Sequence, residues 1–274
     1  MRKLNLDKTI DLLVAFIRET VSSTGLSRVV LNLSGGIDSA TSLSLAVKAL
    51  SPQDVFVLMQ PHGDWHQEAV KRSWALLEHL QVPTEHVLEI NISPIVEAFT
   101  SSIASHNLET TPDESDKNLA ELRLGNIMAR IRMIFLFDRA KTLNALVLGT
   151  ENKTEHYLGY YTRFGDEASD IEPLRSLYKT EVYPIARHLG VPTDTLEVAP
   201  TAGLWPGQTD EGEFGFTYEE ADQVLHGLFD LHLSAEELED RGLSREIVAK
   251  VTNWVQRMEF KHHLPYQPPE PVEM

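Results

Sequence analysis

Apolar and polar residues alternate along the chain in two patterns, one typical of buried strands and one typical of helices. Four short apolar runs rich in β-branched residues predict strands: Val29–Leu33, Val55–Met59, Val87–Ile90 and Leu146–Leu148. Segments of helical periodicity precede, separate or follow them: Leu6–Val21, Ala40–Ala49, Gln67–Leu80, Pro94–Ser102 and Leu119–Leu143. Continuous apolar strands that alternate with helices are typical of a parallel sheet covered on both faces. The pattern therefore predicts an α/β fold with a doubly wound parallel sheet.

The rest of the chain predicts a helical C-terminal extension and several less regular segments. A further short strand is predicted near Leu196–Val198, and Tyr218–Met258 contains two or three helical patterns. Ser105–Lys117 is polar and predicts a surface loop, whereas Pro200–Phe216 is a long segment rich in Gly, Asp, Glu and Thr. Long ordered loops are usually functional, so the latter is a candidate lid. We predict one domain, with an α/β core over 1–199, a lid loop over 200–217, helices over 218–264 and a tail over 265–274.

The predicted helix over Leu119–Leu143 carries apolar side chains on nearly all sides. A helix of this kind lies either in the centre of a core or in an interface between subunits. We favour an interface for part of it, and we therefore expect a homodimer.

Composition excludes several classes of protein. The 274 residues are 42 % apolar and include no cysteine, so the chain can bury a core without disulfides and has no thiolate metal ligand or cysteine nucleophile. The net charge of −17 argues against a nucleic-acid-binding surface, although a small phosphorylated ligand remains compatible with it. No apolar run reaches the length of a membrane span, and charges interrupt the apolar pattern at the N-terminus. We expect no membrane association, no signal peptide and a cytoplasmic location.

One motif gives the strongest chemical signal: Ser34-Gly35-Gly36-Ile37-Asp38-Ser39, directly after the first predicted strand and directly before a helical pattern. Glycines let the backbone approach an anion, and the N–H groups at the start of a helix favour phosphate. A carboxylate beside phosphate is repulsive unless a divalent cation lies between them, so Asp38 predicts bound Mg²⁺. The motifs G-x-x-x-x-G-K-[ST] and G-x-G-x-x-G are absent, which argues against an ordinary P-loop NTPase and a dehydrogenase. The alternative is a strand-to-helix turn without a ligand.

This motif resembles the pyrophosphate-binding loop of the N-type ATP pyrophosphatases, which cleave ATP between the α and β phosphates and attach AMP to an oxygen of the substrate. Further segments resemble the NAD synthetase family within that superfamily, in the same order and spacing: Gly125–Arg132, Leu148–Glu155, Leu158–Asp166, Tyr178–Thr180, Pro200–Trp205 and Gln208–Glu211. The resemblance covers roughly residues 5–262. It implies a Rossmann-like fold of the adenine nucleotide alpha-hydrolase type.

The resemblance also implies an activity and a set of site residues. The activity is ATP-dependent amidation of deamido-NAD by ammonia, with Mg²⁺ as cofactor. The implied ATP-binding residues are Asn32, Leu33, Ser34, Gly35, Gly36, Ile37, Asp38, Ser39, Thr150, Lys179 and Thr201. Asp38 and Glu155 would bind Mg²⁺, and no covalent nucleophile is implied, because Lys179 and the Mg²⁺-bound Asp38 would act electrostatically. The residues implied to contact deamido-NAD are Arg130, Arg163, Asp170 and Lys261.

Several of these residues also have a structural interpretation. Glu155 could lie on a solvated helix face, and Lys179 could be an ordinary surface lysine. Arg130 and Arg132 could form ion pairs at an interface, and Asp170 could cap a turn.

Three departures from the family pattern concern recognition of the acceptor. Arg163 stands where the family usually has Lys, Phe260 stands in place of a common His, and Glu167 lies in a segment that is usually richer in glycine. A related enzyme with a different acceptor is therefore one alternative, and a catalytically silent nucleotide-binding protein is another. Glutamine-dependent relatives use a catalytic Cys, so free ammonia is the expected nitrogen source, with a separate glutaminase subunit as the alternative.

Overall fold

Four parallel strands form the central sheet of the computed structural model, which describes residues 2–63, 66–105, 117–205, 207–263 and 265–268. They are β1 (Val29–Asn32), β2 (Val55–Met59), β3 (Val87–Glu89) and β4 (Leu146–Val147), in the order β3-β2-β1-β4. Val29 pairs with Val55 on one side and with Leu146 on the other. The predicted parallel sheet is thereby confirmed.

Helices flank every strand. In the first half of the chain they are α1 (Leu6–Ser23), α2 (Ile37–Ala49), α3 (Gln67–His79), α4 (Ser93–Ala104) and α5 (Lys117–Leu143). In the second half they are α6 (Lys153–Leu158), α7 (Lys179–His188), α8 (Thr193–Leu196), α9 (Asp210–Phe214), α10 (Tyr218–Leu225), α11 (Ala235–Asp240) and α12 (Arg245–Met258). A π-helical turn over His226–Asp230 follows α10, and a 3₁₀ turn over Glu259–His262 follows α12.

The two faces of the sheet are covered by different helices. Successive residues of β1 point to opposite faces, so Leu31 packs in a core with α1, α2 and α7, whereas Val30 packs with Leu136 of α5. The apolar stripe of α1 enters the first core, and its start is capped by Asn5, whose side chain accepts a hydrogen bond from the Lys8 N–H. The sheet is doubly wound, as the sequence predicted.

The strand order determines where a ligand can bind. Because β1 lies between β2 and β4, the connections on its two sides run in opposite directions across the sheet. Ligands of doubly wound sheets bind at the carboxyl ends of the strands at such a reversal. The segments that follow β1 and β4 therefore line the expected site.

A second core holds the C-terminal helices together. Leu158 of α6 and Tyr178 before α7 pack against Phe214, Val224 and Val251, which come from α9, α10 and α12. The two or three helices predicted over Tyr218–Met258 are present as α10, α11 and α12. The extension thus packs directly on the helices that follow β4.

Some boundaries differ from the prediction. The strand predicted near Leu196–Val198 is wrong, because Pro192 caps a short helix, α8, that ends at Leu196. The segment Pro200–Phe216 contains the short helix α9 rather than loop alone. The predicted loop over Ser105–Lys117 lies mostly outside the described residues, as does the end of the predicted tail.

Helix α5 has apolar side chains on both its buried and its exposed sides. Met128 is fully buried, whereas Leu122 and Ile134 are 46 % and 62 % exposed. Both exposed side chains therefore leave apolar surface in contact with solvent in a single chain. None of the described helices combines the length and hydropathy needed to cross a membrane.

Candidate functional site

The Ser34–Gly36 loop joins the carboxyl end of β1 to the start of α2. Gly35 has a φ of 80°, and a Cβ on it would lie 2.6 Å from the backbone oxygen of Ala69, so a side chain fits neither the backbone conformation nor the space. The Ser39 hydroxyl donates to the Gly36 carbonyl at 3.0 Å and accepts from the Ser34 N–H at 3.2 Å. This closed loop presents the N-terminus of α2 at the sheet edge, where an anion can bind.

Two predicted carboxylates and one predicted ammonium meet beside this loop. Lys179 Nζ lies 2.5 Å from Asp38 Oδ2 and 3.1 Å from Glu155 Oε1. Asn152 donates to the other oxygen of Asp38 at 3.0 Å and also caps α6, since its Oδ1 accepts from the Glu155 N–H. The starts of α2, α6 and α7 thus bring their charged residues to one point, and Glu155 and Lys179 do not lie on solvated surfaces.

This cluster has unbalanced negative charge. Burial lowers the pKa of Lys179, but Asp38 and Glu155 outweigh it, so the pKa lies above its ordinary value and the amine stays charged. Burial raises the pKa of Glu155 to about 8, because one ammonium shared with Asp38 only partly offsets the loss of solvent. An additional cation would relieve this charge.

The geometry fits a magnesium ion that arrives with a nucleotide. Asp38 Oδ2 and Glu155 Oε1 lie 2.5 Å and 3.1 Å from Lys179 Nζ, so the two carboxylates face the same space beside the loop. Within the described ranges, no group of three or more His, Asp or Glu side chains surrounds a metal position. Mg²⁺ commonly takes only one or two carboxylates and completes its shell with water and substrate phosphates, so two are sufficient here.

The segment that follows residue 200 is tied to this cluster through Asp210. Asp210 accepts hydrogen bonds from Tyr218 at 2.8 Å, from Tyr160 at 3.1 Å and from the Ala202 N–H at 2.9 Å. The Tyr218 ring in turn lies 5.0 Å from Lys179 Nζ. Thr201, predicted to contact ATP, lies exposed in this segment and accepts from the Gly203 N–H. Sequence reasoning noted Asp210 only as part of a motif and missed its anchoring position.

Three of the four residues predicted to contact deamido-NAD lie together. Arg130 donates to the backbone oxygen of Arg163, whose guanidinium stacks 5.0 Å from the Phe260 ring. Lys261 donates to the backbone oxygens of Gly159 and Tyr161, both at 2.6 Å. Two departures from the family pattern, Arg163 and Phe260, therefore contact each other.

The remaining predicted residues lie along β4. Asp170 is exposed and accepts from the backbone N–H of Val147 at 2.7 Å, which gives it a capping contact at this strand. Thr150 lies shortly after the end of β4 and is half-buried. Glu167, the third departure, accepts from the nearby Gly165 N–H at 3.3 Å.

A group of charged residues beside Thr150 was missed by sequence reasoning. Glu151 is 5 % exposed and pairs with Arg175 at 3.0 Å, and its backbone N–H donates to Glu172. The sequence contained a signal, because Glu151 lies shortly after a predicted buried strand and Glu172 lies between Ile171 and Pro173. Neither was singled out among the many acidic residues of the chain.

Comparison with known proteins gives a consistent result. Residues 9–265 match the NAD synthase family. The NH₃-dependent NAD⁺ synthetase of Thermococcus kodakarensis is 42 % identical over 98 % of this chain and 99 % of its own. The structure of NMN synthetase from Francisella tularensis is similar with a TM-score of 0.80 at 32 % identity, covering 97 % of this chain and 99 % of that one.

The structure of NH₃-dependent NAD synthetase from Campylobacter jejuni is similar with a TM-score of 0.76 at 30 % identity, covering 99 % of this chain and all of that one. These relatives are 30–42 % identical to the chain over nearly its full length, and the site geometry described above agrees with the family. The chain belongs to the NAD synthase family, a family of enzymes that use ATP.

Proposed function

We propose that this chain catalyses the ATP-dependent amidation of deamido-NAD by ammonia, with NAD, AMP and pyrophosphate as products. The observation that supports this best is the convergence of Asp38, Glu155 and Lys179 on one point beside the Ser34–Gly36 loop, in a chain of this family. A silent nucleotide-binding protein would not need to keep this buried and electrostatically costly arrangement.

The chemistry explains why ATP is required. A carboxylate does not react with ammonia at neutral pH, because its carbon is shielded by delocalised negative charge and oxide is a very poor leaving group. Attack of the nicotinate carboxylate on the α-phosphorus of ATP gives a mixed anhydride and releases pyrophosphate. Ammonia then attacks the acyl carbon, and AMP departs with the electron pair of the broken C–O bond.

The charged residues bind and orient the reactants for the first step. The N–H groups at the start of α2 and the ammonium of Lys179 hold the phosphates and stabilise the charge on departing pyrophosphate. Asp38 and Glu155 would hold Mg²⁺, which supplies further positive charge at the phosphates. Holding both anionic substrates in line provides much of the rate enhancement, so no covalent nucleophile is needed.

The acceptor site is proposed around Arg130, Arg163 and Lys261, with Asp170 at its β4 side. Arg130 is exposed and offers a guanidinium for a phosphate. Lys261 already donates to two backbone carbonyls and therefore acts mainly by fixing the Gly159–Arg163 loop. The segment over 200–217 is the proposed lid, anchored by Asp210.

We also propose a homodimer that uses the exposed side of α5. Ile134→Glu would place a charge in the interface, and light scattering should then show a monomer. Leu12→Glu is the matched control, because Leu12 on α1 is 64 % exposed, close to the 62 % of Ile134. A monomeric wild type would contradict the dimer.

Free ammonia is the proposed nitrogen source, since the chain has no cysteine thiol with which to hydrolyse glutamine. A second candidate acceptor is nicotinate mononucleotide, because the structure with a TM-score of 0.80 is an NMN synthetase. The two acceptors share the reacting carboxylate and differ in the adenylate half.

The test is a steady-state assay with ATP, Mg²⁺ and ammonium, with deamido-NAD or nicotinate mononucleotide as acceptor and chromatographic detection of the product. We expect a higher kcat/KM with deamido-NAD than with nicotinate mononucleotide. We also expect no reaction with glutamine in place of ammonium, and loss of activity in Asp38→Asn. Preference for the mononucleotide would replace the proposed acceptor, and no ATP turnover with either would overturn the proposal.

A further inference from the structure

A polar cluster lies at the carboxyl end of β4, centred on Glu151 and Glu172. One oxygen of Glu172 accepts from the Glu151 N–H at 3.0 Å, and the other accepts from the Ser169 hydroxyl at 2.7 Å. The carboxylate lies directly over Gly149, where a Cβ would be 1.9 Å from Glu172 Oε1. Only glycine at this position lets a carboxylate approach the strand end so closely.

Glu151 has a buried acceptor without a donor. Its Oε2 accepts from Arg175 at 3.0 Å, but its Oε1 has no hydrogen-bond partner among the described residues. His156 Nδ1 lies 3.3 Å from this oxygen, yet it receives a hydrogen bond from Arg175 at 2.7 Å, so its lone pair is already engaged as an acceptor. Buried acceptors without a donor are rare and costly, which points to a ligand that donates hydrogen bonds.

The cluster lies between the two proposed substrate sites. Glu151 is flanked in sequence by Thr150, a proposed ATP contact, and by Asn152, which is bonded to Asp38. On its other side lie Tyr161, whose pKa is raised to about 12 by burial and by Glu151, and Lys261. The acyl-adenylate must form where ATP and the acceptor meet, and the contacts of Glu151 lie between the residues proposed for these two substrates.

The charges around Glu151 favour a small cation. The acidic groups that face it are Glu172, Asp166 and Glu167, and the basic groups are Arg175 and Lys261, with His156 and Tyr161 completing the surroundings. Carboxyl groups thus outnumber cations. Burial raises the pKa of both Glu151 and Glu172 to about 8, far closer to that of an amine than an ordinary carboxyl is. Similar pKa values make proton transfer between the two groups efficient.

We propose that Glu151 and Glu172 form an ammonium-binding site that delivers ammonia to the acyl-adenylate. This inference rests on the proposed function. Ammonium is a four-donor cation of the size of a water molecule, and at neutral pH it has no lone pair with which to attack. Glu151 Oε1 accepts one of its hydrogen bonds, and the neighbouring carboxylate compensates its charge.

The site also accounts for the protons of the reaction. An N–H bond of ammonium breaks, its electron pair becomes the lone pair of ammonia, and the proton passes to a carboxylate. Ammonia forms the C–N bond, the C–O bond to AMP breaks, and the nitrogen loses a second proton. Two protons are released for each amide formed. The positive charge of bound ammonium favours the ionised forms of Glu151 and Glu172, and the two carboxylates then accept those protons.

The test separates the ammonium step from adenylation in Glu151→Gln and Glu172→Gln. Adenylation is followed as acceptor-dependent exchange of pyrophosphate into ATP without ammonium, and amidation is followed with increasing ammonium. Loss of a charge-assisted hydrogen bond should raise the KM for ammonium by about 10- to 100-fold. The exchange rate should stay within about twofold of the wild type, as should amidation in the control Glu197→Gln, which changes an exposed carboxylate after α8.

Hydroxylamine gives a further readout, because it is largely unprotonated at neutral pH and needs no base. Both variants should use hydroxylamine nearly as well as the wild type does. Unchanged KM for ammonium in both variants, or a parallel loss of exchange that indicates a structural role, would overturn the site. Absence of acceptor-dependent exchange in the wild type would instead overturn the proposed function and this inference with it.

Discussion

Two lysines, one buried and one half-buried, illustrate how position determines the role of an ammonium group. Lys179 lies between Asp38 and Glu155 at the carboxyl end of the sheet, where phosphate would bind. Lys153 pairs with Asp230 at 2.5 Å and lies 4.6 Å from the Tyr178 ring, within the contacts that join α6 to the C-terminal helices. The first can exchange its partners for a ligand, whereas the second only links parts of the fold.

Replacement of these lysines by methionine should therefore have different effects. Lys179→Met removes charge that stabilises the departing pyrophosphate, and we expect kcat for pyrophosphate exchange to fall by about 10²-fold or more. Lys153→Met should lower the midpoint of thermal unfolding and leave exchange in the folded protein nearly unchanged. Equal losses of exchange in the two variants would contradict the assigned role of Lys179.

The loop between β1 and α2 depends on backbone geometry. Gly35 and Gly25 have similar φ values, 80° and 76°. A Cβ on Gly35 would overlap the backbone of Ala69, whereas a Cβ on Gly25 would meet no atom of the described residues within 4 Å. The two glycines thus separate the cost of a left-handed backbone from the cost of steric overlap.

Alanine substitutions at these glycines should differ accordingly. Gly25→Ala should lower the free energy of unfolding by about 1 kcal/mol, the cost of the left-handed conformation alone. Gly35→Ala adds overlap with the backbone of α3, so we expect a further loss of about 1–3 kcal/mol and a raised KM for ATP. Urea titration and steady-state kinetics measure both quantities, and equal effects of the two substitutions would refute the importance of the close contact.

Sequence patterns predicted the elements of this fold better than its distant contacts. Strands β1 and β2 were predictable because both faces are buried and their apolar runs are continuous. The short helix α8 was mistaken for a strand because Leu196 and Val198 alternate over too few residues to define a period. The contact between Arg163 and Phe260 joins residues almost a hundred positions apart, and no local pattern encodes it.

The site residues show the same division. Asp38 was predictable because its motif lies between a predicted strand and a predicted helix, and in the structure Asp38 lies in the first turn of α2. The pairing of Glu151 with Arg175 and Glu172 depends on how the chain returns to the end of β4. The unpaired oxygen of Glu151 is recognised only when the hydrogen-bond donors around each buried acceptor are known.

At the scale of the whole molecule, the buried carboxyl groups predict how stability depends on pH. Burial raises the pKa of Glu151 and Glu172 from 4.5 to about 8 in the folded state, so the folded protein binds protons more tightly than the unfolded chain. The stability gained by this protonation is fully present below about pH 4.5 and is lost as the pH rises through about 8. The slope approaches about 1.4 kcal/mol per pH unit for each group.

The free energy of unfolding should therefore fall less steeply with pH in the double variant Glu151→Gln/Glu172→Gln than in the wild type. Urea titrations between about pH 5 and 8 measure how the free energy of unfolding changes with pH in each protein. The contribution of the other charged groups is the same in both and cancels when the two slopes are subtracted. Parallel slopes would show that the two carboxyl groups titrate normally.

The central claim, that the substrate carboxylate is adenylated by ATP before ammonia attacks it, can be tested by isotope transfer. Deamido-NAD labelled with ¹⁸O in its nicotinate carboxylate is converted with ATP, Mg²⁺ and ammonium, and the products are analysed by mass spectrometry. The account predicts one ¹⁸O atom in the phosphate of AMP for each NAD formed. Label in pyrophosphate or in water, with unlabelled AMP, would contradict it.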